Sequence, residues 1–258
     1  MRKHERKYIN SKRNLQELPK SLVDQQEMIG DKLNFASQEA YKLLRTNLIF
    51  SMSDEEKCKI VGITSALRGE GKSTTAINLA YSLAEAKKKT LLIEGDMRLP
   101  LVQRVLRFDS AIGLSNVLAG LNKLDEAVRH EVFLETLSVL PSGEIPPNPS
   151  ELLSSMKMKD ILSKLSKDYD YIIIDLPPIN AVSDGLAIAN LVSGMLIVVR
   201  PDYCDQHALA DTIRQLEFLK VKILGFVLNC KGKQKKKNKN YGYKYQYRYT
   251  YRQSEDEK

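Results

Sequence analysis

Two kinds of segment alternate along most of the chain. Short, nearly unbroken apolar runs are followed by stretches in which apolar residues recur with the period of an amphipathic helix. The apolar runs are typical of strands buried on both faces of a parallel sheet; they cover Lys59–Thr64, Thr90–Glu94, Leu137–Leu140, Tyr171–Asp175, Met195–Arg200 and Ile223–Asn229. The helical periods cover Ala36–Met52, Lys72–Ala86, Leu114–Ala119, Pro149–Leu165, Asp184–Leu191 and Gln206–Leu219.

This alternation predicts one α/β domain with a doubly wound, mostly parallel sheet over residues 34–230. Residues 1–33 are polar and have no sustained period, so we expect a loosely ordered extension. Residues 231–258 change composition abruptly, from a lysine-rich run to six tyrosines at alternate positions. We expect this last segment to be a flexible basic tail, because lysine-rich, strongly charged sequence favours solvation over packing.

The net charge of +8 lies almost entirely in the tail. Residues 231–258 hold ten Lys/Arg and three Asp/Glu, a net charge of +7, which leaves +1 for residues 1–230. Such a tail suits phosphate polymers, anionic lipid or an acidic partner. The chain has no apolar run of about 18 residues, and its three cysteines fit a reducing compartment. We therefore expect a cytoplasmic protein that reaches a membrane only through a partner.

A phosphate-binding loop is the strongest chemical signal. The segment SALRGEGKST (residues 65–74) follows an apolar strand and opens a helix, which is the context that such a loop requires. Glycines let the backbone N–H groups turn toward phosphate oxygens, and the lysine and serine suit the β- and γ-phosphates and Mg²⁺ of bound ATP. The predicted nucleotide contacts are Gly69, Glu70, Gly71, Lys72, Ser73 and Thr74. The usual first glycine of the motif is Ser65 here.

Three carboxylates follow two of the predicted strands. Glu94 and Asp96 lie in TLLIEGDMR, and Asp175 ends YIIID. Ligands of open parallel sheets bind beyond the carboxyl ends of the strands, so we expect these side chains to meet Lys72. Phosphoryl transfer needs a held metal and a group that orients the acceptor. Lys72, Glu94, Asp96 and Asp175 are the predicted catalytic residues, and Ser73, Asp96 and Asp175 the predicted Mg²⁺ ligands.

The three motifs together resemble the Walker A, A′ and B motifs of the bacterial tyrosine kinases of capsule and exopolysaccharide systems. The chain looks like the separate cytoplasmic kinase of Gram-positive bacteria, which a membrane-spanning protein activates. The resemblance covers about residues 35–258. In that family the A′ motif begins with Asp, where this chain has Glu94. Arg98 completes the motif, and its pattern leaves open whether it braces the acidic loop or contacts phosphate.

The resemblance also implies partners and acceptors. Glu39, Lys42 and Arg45 resemble the family's ExxRxxR helix, which builds a ring by docking on a neighbouring subunit; a solvated charged face is the alternative. At about 100° per residue, Ala40, Leu43, Leu44 and Asn47 would then face the domain. The tail tyrosines are the implied sites of autophosphorylation between subunits: Tyr241, Tyr243, Tyr245, Tyr247, Tyr249 and Tyr251. Asn229 either meets adenine or simply ends the last strand.

A second function stays open from the residues alone. A partition or positioning ATPase shares the phosphate loop, and a basic tail with interleaved aromatics can hold nucleic acid by charge and stacking. That group resembles KGGxGK(S/T), with an additional lysine where this chain has Leu67. This difference favours the kinase and makes nucleic acid a less favoured partner than tyrosine-containing proteins.

Overall fold

The computed structural model describes residues 28–52, 57–108 and 112–229. The expected tail, including all six candidate acceptor tyrosines, lies outside these ranges, as do residues 1–27 of the expected extension.

One parallel sheet organises the described chain. Its strand order is β3-β2-β4-β1-β5-β6, and every neighbouring pair runs parallel. The strands are β1 (Lys59–Ser65), β2 (Thr90–Glu94), β3 (Leu137–Leu140), β4 (Tyr171–Asp175), β5 (Gly194–Val199) and β6 (Ile223–Leu228). The predicted fold class is confirmed, and each predicted strand agrees with the observed one to within a residue at either end.

Helices cover both faces of this sheet. They are α1 (Phe35–Ser51), α2 (Lys72–Glu85), α3 (Val102–Val105), α4 (Leu114–Ala119), α5 (Leu124–Ala127), α6 (Pro149–Ser154), α7 (Met156–Leu165), α8 (Asp184–Ala187) and α9 (Gln206–Phe218). The helix predicted over 149–165 is broken at Ser155, whose extended backbone and side chain cap α7. The helix predicted over 184–191 is a single turn, α8, followed by a 3₁₀ turn at Ala189–Leu191.

The central strands are buried on both faces, as their unbroken apolar runs predict. On one face Val61 and Ile173 pack with Leu79 and Leu83 of α2. On the other face the core includes Ile174, together with residues of α7 and α9. Each such buried side chain contributes about 1.5–3 kcal/mol of transfer free energy. The two cores leave the carboxyl ends of the central strands as the place where polar side chains gather.

The packed region begins before residue 34. Ile29 is buried in the core beside α2, and the Asn78 side chain bonds both the Gly30 N–H and the Met28 carbonyl. Gly30 has a φ of +60°, and a Cβ there would lie 2.7 Å from the Tyr81 ring. The sequence did not predict that this polar segment packs on the domain, because its attachment depends on one isoleucine and one glycine, which form no hydrophobic period.

Helix α1 turns a different face to the domain than its sequence predicts. Leu48 is buried and Leu44 half-buried, whereas Leu43 is 58% exposed and Ala40 is exposed. Arg45, expected on the outer face, lies on the inner one and donates to the Ser82 carbonyl of α2. The long side chain of an arginine can cover apolar surface while its guanidinium group binds a partner. The prediction that Arg45 faces outward, which was based on its charge, was therefore wrong.

Replacing a buried and an exposed leucine of α1 tests this packing. Leu48→Ala should lower the free energy of unfolding by about 2–4 kcal/mol, because it leaves a cavity against the core. Leu43→Ala on the same helix should change it by less than about 0.5 kcal/mol. Urea denaturation of both variants measures the difference, and equal losses would show that the helix packs through another face.

Candidate active site

The phosphate-binding loop connects the end of β1 to the start of α2. Gly69 and Gly71 have φ values of +80° and +96°, a region that glycine adopts without steric cost. Helix α2 begins at Lys72, so its first turn, including Ser73 and Thr74, presents N–H groups at the loop. At the position of the missing first glycine, the Ser65 hydroxyl donates to the Leu67 carbonyl and stabilises the turn.

Lys72 lies between two carboxylates. Its ammonium nitrogen is 2.8 Å from Asp96 Oδ2 and 3.6 Å from Asp175 Oδ1. All three side chains are at most 12% exposed. Burial lowers the pKa of Lys72, but the negative charges of Asp175 and Asp96 outweigh it, so the net pKa is raised and the ammonium stays charged. The predicted meeting of Lys72 with these two residues is therefore present.

Asp175 has the properties of a cation ligand. It is fully buried, and in the described part of the chain neither carboxylate oxygen has a hydrogen bond of ordinary geometry. Burial raises the pKa of Asp175, against the lowering effects of Lys72 and the nearby Ser73 hydroxyl. Mg²⁺ takes oxygen ligands and keeps waters and substrate phosphates around it. A buried carboxylate with free lone pairs beside a serine hydroxyl fits that ion.

Asp96 is more fully occupied by the protein. One oxygen accepts the contact from Lys72, and the other accepts from the Leu99 N–H at 3.2 Å. The second bond closes a turn over residues 96–99 and fixes the carboxylate beside the lysine. A role of Asp96 as a direct metal ligand stays a prediction.

Glu94 lies next to this group but is anchored to backbone. Its oxygens accept from the N–H groups of Val102 (2.6 Å), Gln103 (3.2 Å) and Ser142 (3.1 Å). The side chain thus holds the start of α3 and the loop after β3 against the end of β2. Burial raises the pKa of Glu94 to about 7, although the three N–H donors oppose the shift. These are the contacts of an anchor, and a direct part in phosphoryl transfer stays a prediction.

Glu70 has a structural role that the sequence did not reveal. Its buried carboxylate accepts from the Leu67 N–H at 2.6 Å and from the Arg200 N–H at 3.0 Å. The Asn229 amide donates to the Glu70 carbonyl at 2.8 Å, and a Cβ on Gly71 would lie 2.0 Å from that amide. The phosphate loop is therefore tied to the ends of β5 and β6. Contact of Asn229 with adenine stays a prediction.

Arg98 braces the acidic loop, one of the two alternatives that its motif left open. Its guanidinium contacts both carboxylate oxygens of Asp184, at 2.7 and 3.1 Å. Asp184 also accepts from the Ser150 hydroxyl. Asp184 is the first residue of α8, and the residue before it, Ser183, makes no capping hydrogen bond through its side chain.

The charged residues of α1 divide into two groups. Lys42 and Glu39 form an exposed pair with each other at 2.8 Å. Arg45 instead contacts Ser82 and, at 3.7 Å, Glu85 of the same chain. Of these three residues, Glu39 and Lys42 therefore lie on the outer face of α1, and their contact with a neighbouring subunit stays a prediction.

Comparison with known proteins places the chain among P-loop enzymes. The profile of a family described as an AAA domain matches residues 58–224. Tyrosine-protein kinase YwqD of Bacillus subtilis (strain 168) is 40% identical over 195 residues, 76% of this chain and 81% of that protein. Tyrosine-protein kinase CpsD of Streptococcus agalactiae serotype III (strain NEM316) is 37% identical over 79% of this chain and 87% of its own length.

Solved structures agree with this placement. The kinase domain of Escherichia coli tyrosine kinase ETK superposes with a TM-score of 0.75 at 32% identity, covering 83% of each chain. The septum site-determining protein MinD of Pyrococcus horikoshii OT3, complexed with Mg-ADP, gives 0.59 at 27% identity over 69% of this chain and 72% of that one. Within the described residues no helix is both long and apolar enough to span a bilayer.

The raised pKa of Glu94 makes a prediction about stability. Between its ordinary value of 4.5 and about 7, the folded protein retains a proton that the unfolded chain has released. Stability from this group is therefore lost as pH rises through that window. Relative to Glu94→Gln, the wild-type free energy of unfolding should fall by roughly 3 kcal/mol across it.

Chemical denaturation at a series of pH values measures this slope. Glu217→Gln, at an exposed position on α9, is the control and should follow the wild type. Parallel curves for wild type and Glu94→Gln would mean that Glu94 stays ionised throughout the window.

Proposed function

The chain belongs to the bacterial tyrosine-protein kinases, and on that premise we propose that it transfers the γ-phosphoryl group of Mg-ATP to tyrosines of its own C-terminal tail. The observation that carries the proposal is the buried Lys72 between Asp96 and Asp175, at the carboxyl ends of adjacent parallel strands. Phosphoryl transfer is catalysed mainly by positioning and by stabilisation of the charge on the phosphoryl oxygens. A fixed cation beside two fixed carboxylates supplies both.

Each residue of the site has a distinct role in this proposal. The N–H groups of Gly69–Thr74 hold the phosphates, and Lys72 neutralises the charge on the transferred group. Ser73 and Asp175 would hold Mg²⁺, which would supply Lewis-acid chemistry when bound. Asp96 lies within reach of the same centre and accepts the proton of the tyrosine hydroxyl as its oxygen attacks phosphorus. Glu94 and Glu70 keep the surrounding loops in place.

The tail supplies the acceptors. Tyr241–Tyr251 carry six hydroxyls on a segment with a net charge of +7, and transfer between subunits lets one tail reach a neighbour's site. Each phosphate adds about −1.5 to −2 charges, so about four modifications cancel the tail's charge. The tail then loses its attraction for anionic partners, which loosens the assembly or releases an activator.

The kinase relatives support a proposal for the cellular role. We assign the chain to control of capsule or exopolysaccharide synthesis, as a cytoplasmic kinase that a membrane-spanning activator recruits to the inner face of the membrane. Self-assembly into a ring uses Glu39 and Lys42. A chain of this kind would be active only when its subunits meet, because the acceptor and the site belong to different copies.

Mass spectrometry of the full chain after incubation with Mg-ATP tests the kinase. Lys72→Met should reduce phosphate on Tyr241–Tyr251 at least about 100-fold, because the charge on the transferred group loses its counter-ion. Lys159→Met, at an exposed position of α7, is the matched control. Phosphotyrosine that persists in Lys72→Met would disprove the assignment, whereas ATP hydrolysis stimulated by DNA without phosphotyrosine would establish the partition-ATPase alternative.

Substitutions on α1 separate assembly from stability. Glu39→Ala with Lys42→Ala should weaken self-association in sedimentation velocity without changing the melting temperature, because both side chains are exposed. Arg45→Ala should instead lower the free energy of unfolding by about 1–2 kcal/mol, through loss of its charged hydrogen bonds. Unchanged association in the first variant would mean that the charged stripe is only a solvated face.

A further inference from the structure

A buried aspartate outside the three sequence motifs holds the loop that carries Asp96. Asp184 is 0% exposed, and its carboxylate accepts two bonds from Arg98, whose side chain is 44% exposed. Burial alone would raise the pKa of Asp184, but the bonds from Arg98 and Ser150 outweigh it, and the net pKa is lowered. The carboxylate is therefore ionised, and both of its oxygens contact Arg98.

The contact joins the two segments that leave the active site. Arg98 follows Asp96 by two residues, in a turn that the Leu99 N–H closes on Asp96. Asp184 ends the segment that begins at Asp175. This segment is also bound to the phosphate loop, because the Ile179 N–H donates to the Ser65 carbonyl at 3.0 Å. At the strand ends the Gly95 N–H donates to the Asp175 carbonyl at 2.8 Å. The separation of the Asp96 and Asp175 carboxylates is thus fixed on one side by the Gly95–Asp175 hydrogen bond and on the other by the Arg98–Asp184 ion pair.

We propose that Asp184 is a positioning residue for phosphoryl transfer, which acts through Arg98 to hold Asp96 at its distance from Lys72 and Asp175. The inference rests on the proposed function of those three residues. A two-point guanidinium–carboxylate contact fixes orientation as well as distance, which a lysine in place of Arg98 would not reproduce. Displacement of a catalytic group by about 1 Å costs up to about 100-fold in rate.

A purely structural role would have a different signature. Removal of one partner would leave the buried Asp184 charge unpaired or its pocket unfilled and would lower the free energy of unfolding, without a separate effect on the rate of the folded protein. The nucleotide should still bind through the phosphate loop, which has its own ties at Glu70 and Asn229. The positioning role therefore predicts a loss in kcat, with KM for ATP nearly unchanged.

The kinetic test uses Asp184→Asn, Arg98→Gln, Arg98→Lys and the double variant Asp184→Asn/Arg98→Gln. The rate of phosphotyrosine formation by the full chain should fall about tenfold in each single variant, with KM for ATP within about twofold of wild type. The double variant should lose no more than the larger single loss, because one contact is removed in every case. Asp211→Asn, in an exposed Asp–Arg pair on α9, is the control and should match wild type.

Hydrogen exchange supplies a readout that does not depend on activity. In Asp184→Asn, amides of residues 95–99 should exchange faster while amides of the phosphate loop do not change. Three results would each overturn the inference. They are phosphorylation rates of the single variants within twofold of wild type, a loss in the double variant equal to the product of the single losses, and unchanged amide exchange at residues 95–99 in Asp184→Asn. If Asp184→Asn does not fold, the two Arg98 variants decide the same question. A wild-type protein that forms no phosphotyrosine would refute the proposed function. Hydrogen exchange would still show whether the Arg98–Asp184 contact holds residues 95–99 in place.

Discussion

A lysine ammonium held between two buried carboxylates sets the requirement that the rest of this site meets. The three charges sum to −1 in a region almost closed to water, where desolvation is costly and a displaced group would leave an unpaired charge behind. Such a cluster is poor as a source of stability, since apolar side chains of the same volume would pack at least as well. The nucleotide binding proposed for this site explains such a cluster better than a contribution to stability does.

The sheet brings the cluster together, and hydrogen bonds outside the cluster hold it there. Parallel pairing puts Glu94 directly beside Asp175 in the register of β2 and β4, so the acidic loop and the aspartate proposed to hold Mg²⁺ are neighbours. Side-chain contacts then hold the loops after the strands: Glu94 anchors α3, and Glu70 anchors the phosphate loop to β5. Groups held in place in this way do not have to reorganise during the reaction. Electrostatic stabilisation by such preorganised groups is usually the largest single contribution to an enzymatic rate.

The parts of the fold that sequence predicts are those with a period or a motif. Six buried strands and the phosphate loop follow from apolar runs and glycine spacing, and parallel topology then brings Lys72 to Asp96 and Asp175. The inner face of α1 did not follow, because Arg45 packs inward and Leu43 outward against their usual preferences. The partners of Glu70, Glu94 and Asp184 did not follow either. The donors to these carboxylates are backbone N–H groups and an arginine far away in the chain. The sequence around each carboxylate therefore shows no pattern that identifies its donor.

The length of Glu94 explains why this chain has no aspartate there. Its two oxygens reach donors on separate segments, Val102 and Gln103 at the start of α3 and Ser142 after β3, at 2.6, 3.2 and 3.1 Å. An aspartate is shorter by one C–C bond, about 1.5 Å, which would stretch these contacts beyond hydrogen-bonding range unless both segments moved toward β2. The extra methylene therefore lets Glu94 hold two loops at once, and it leaves Asp96 and Asp175 as the carboxylates in contact with Lys72.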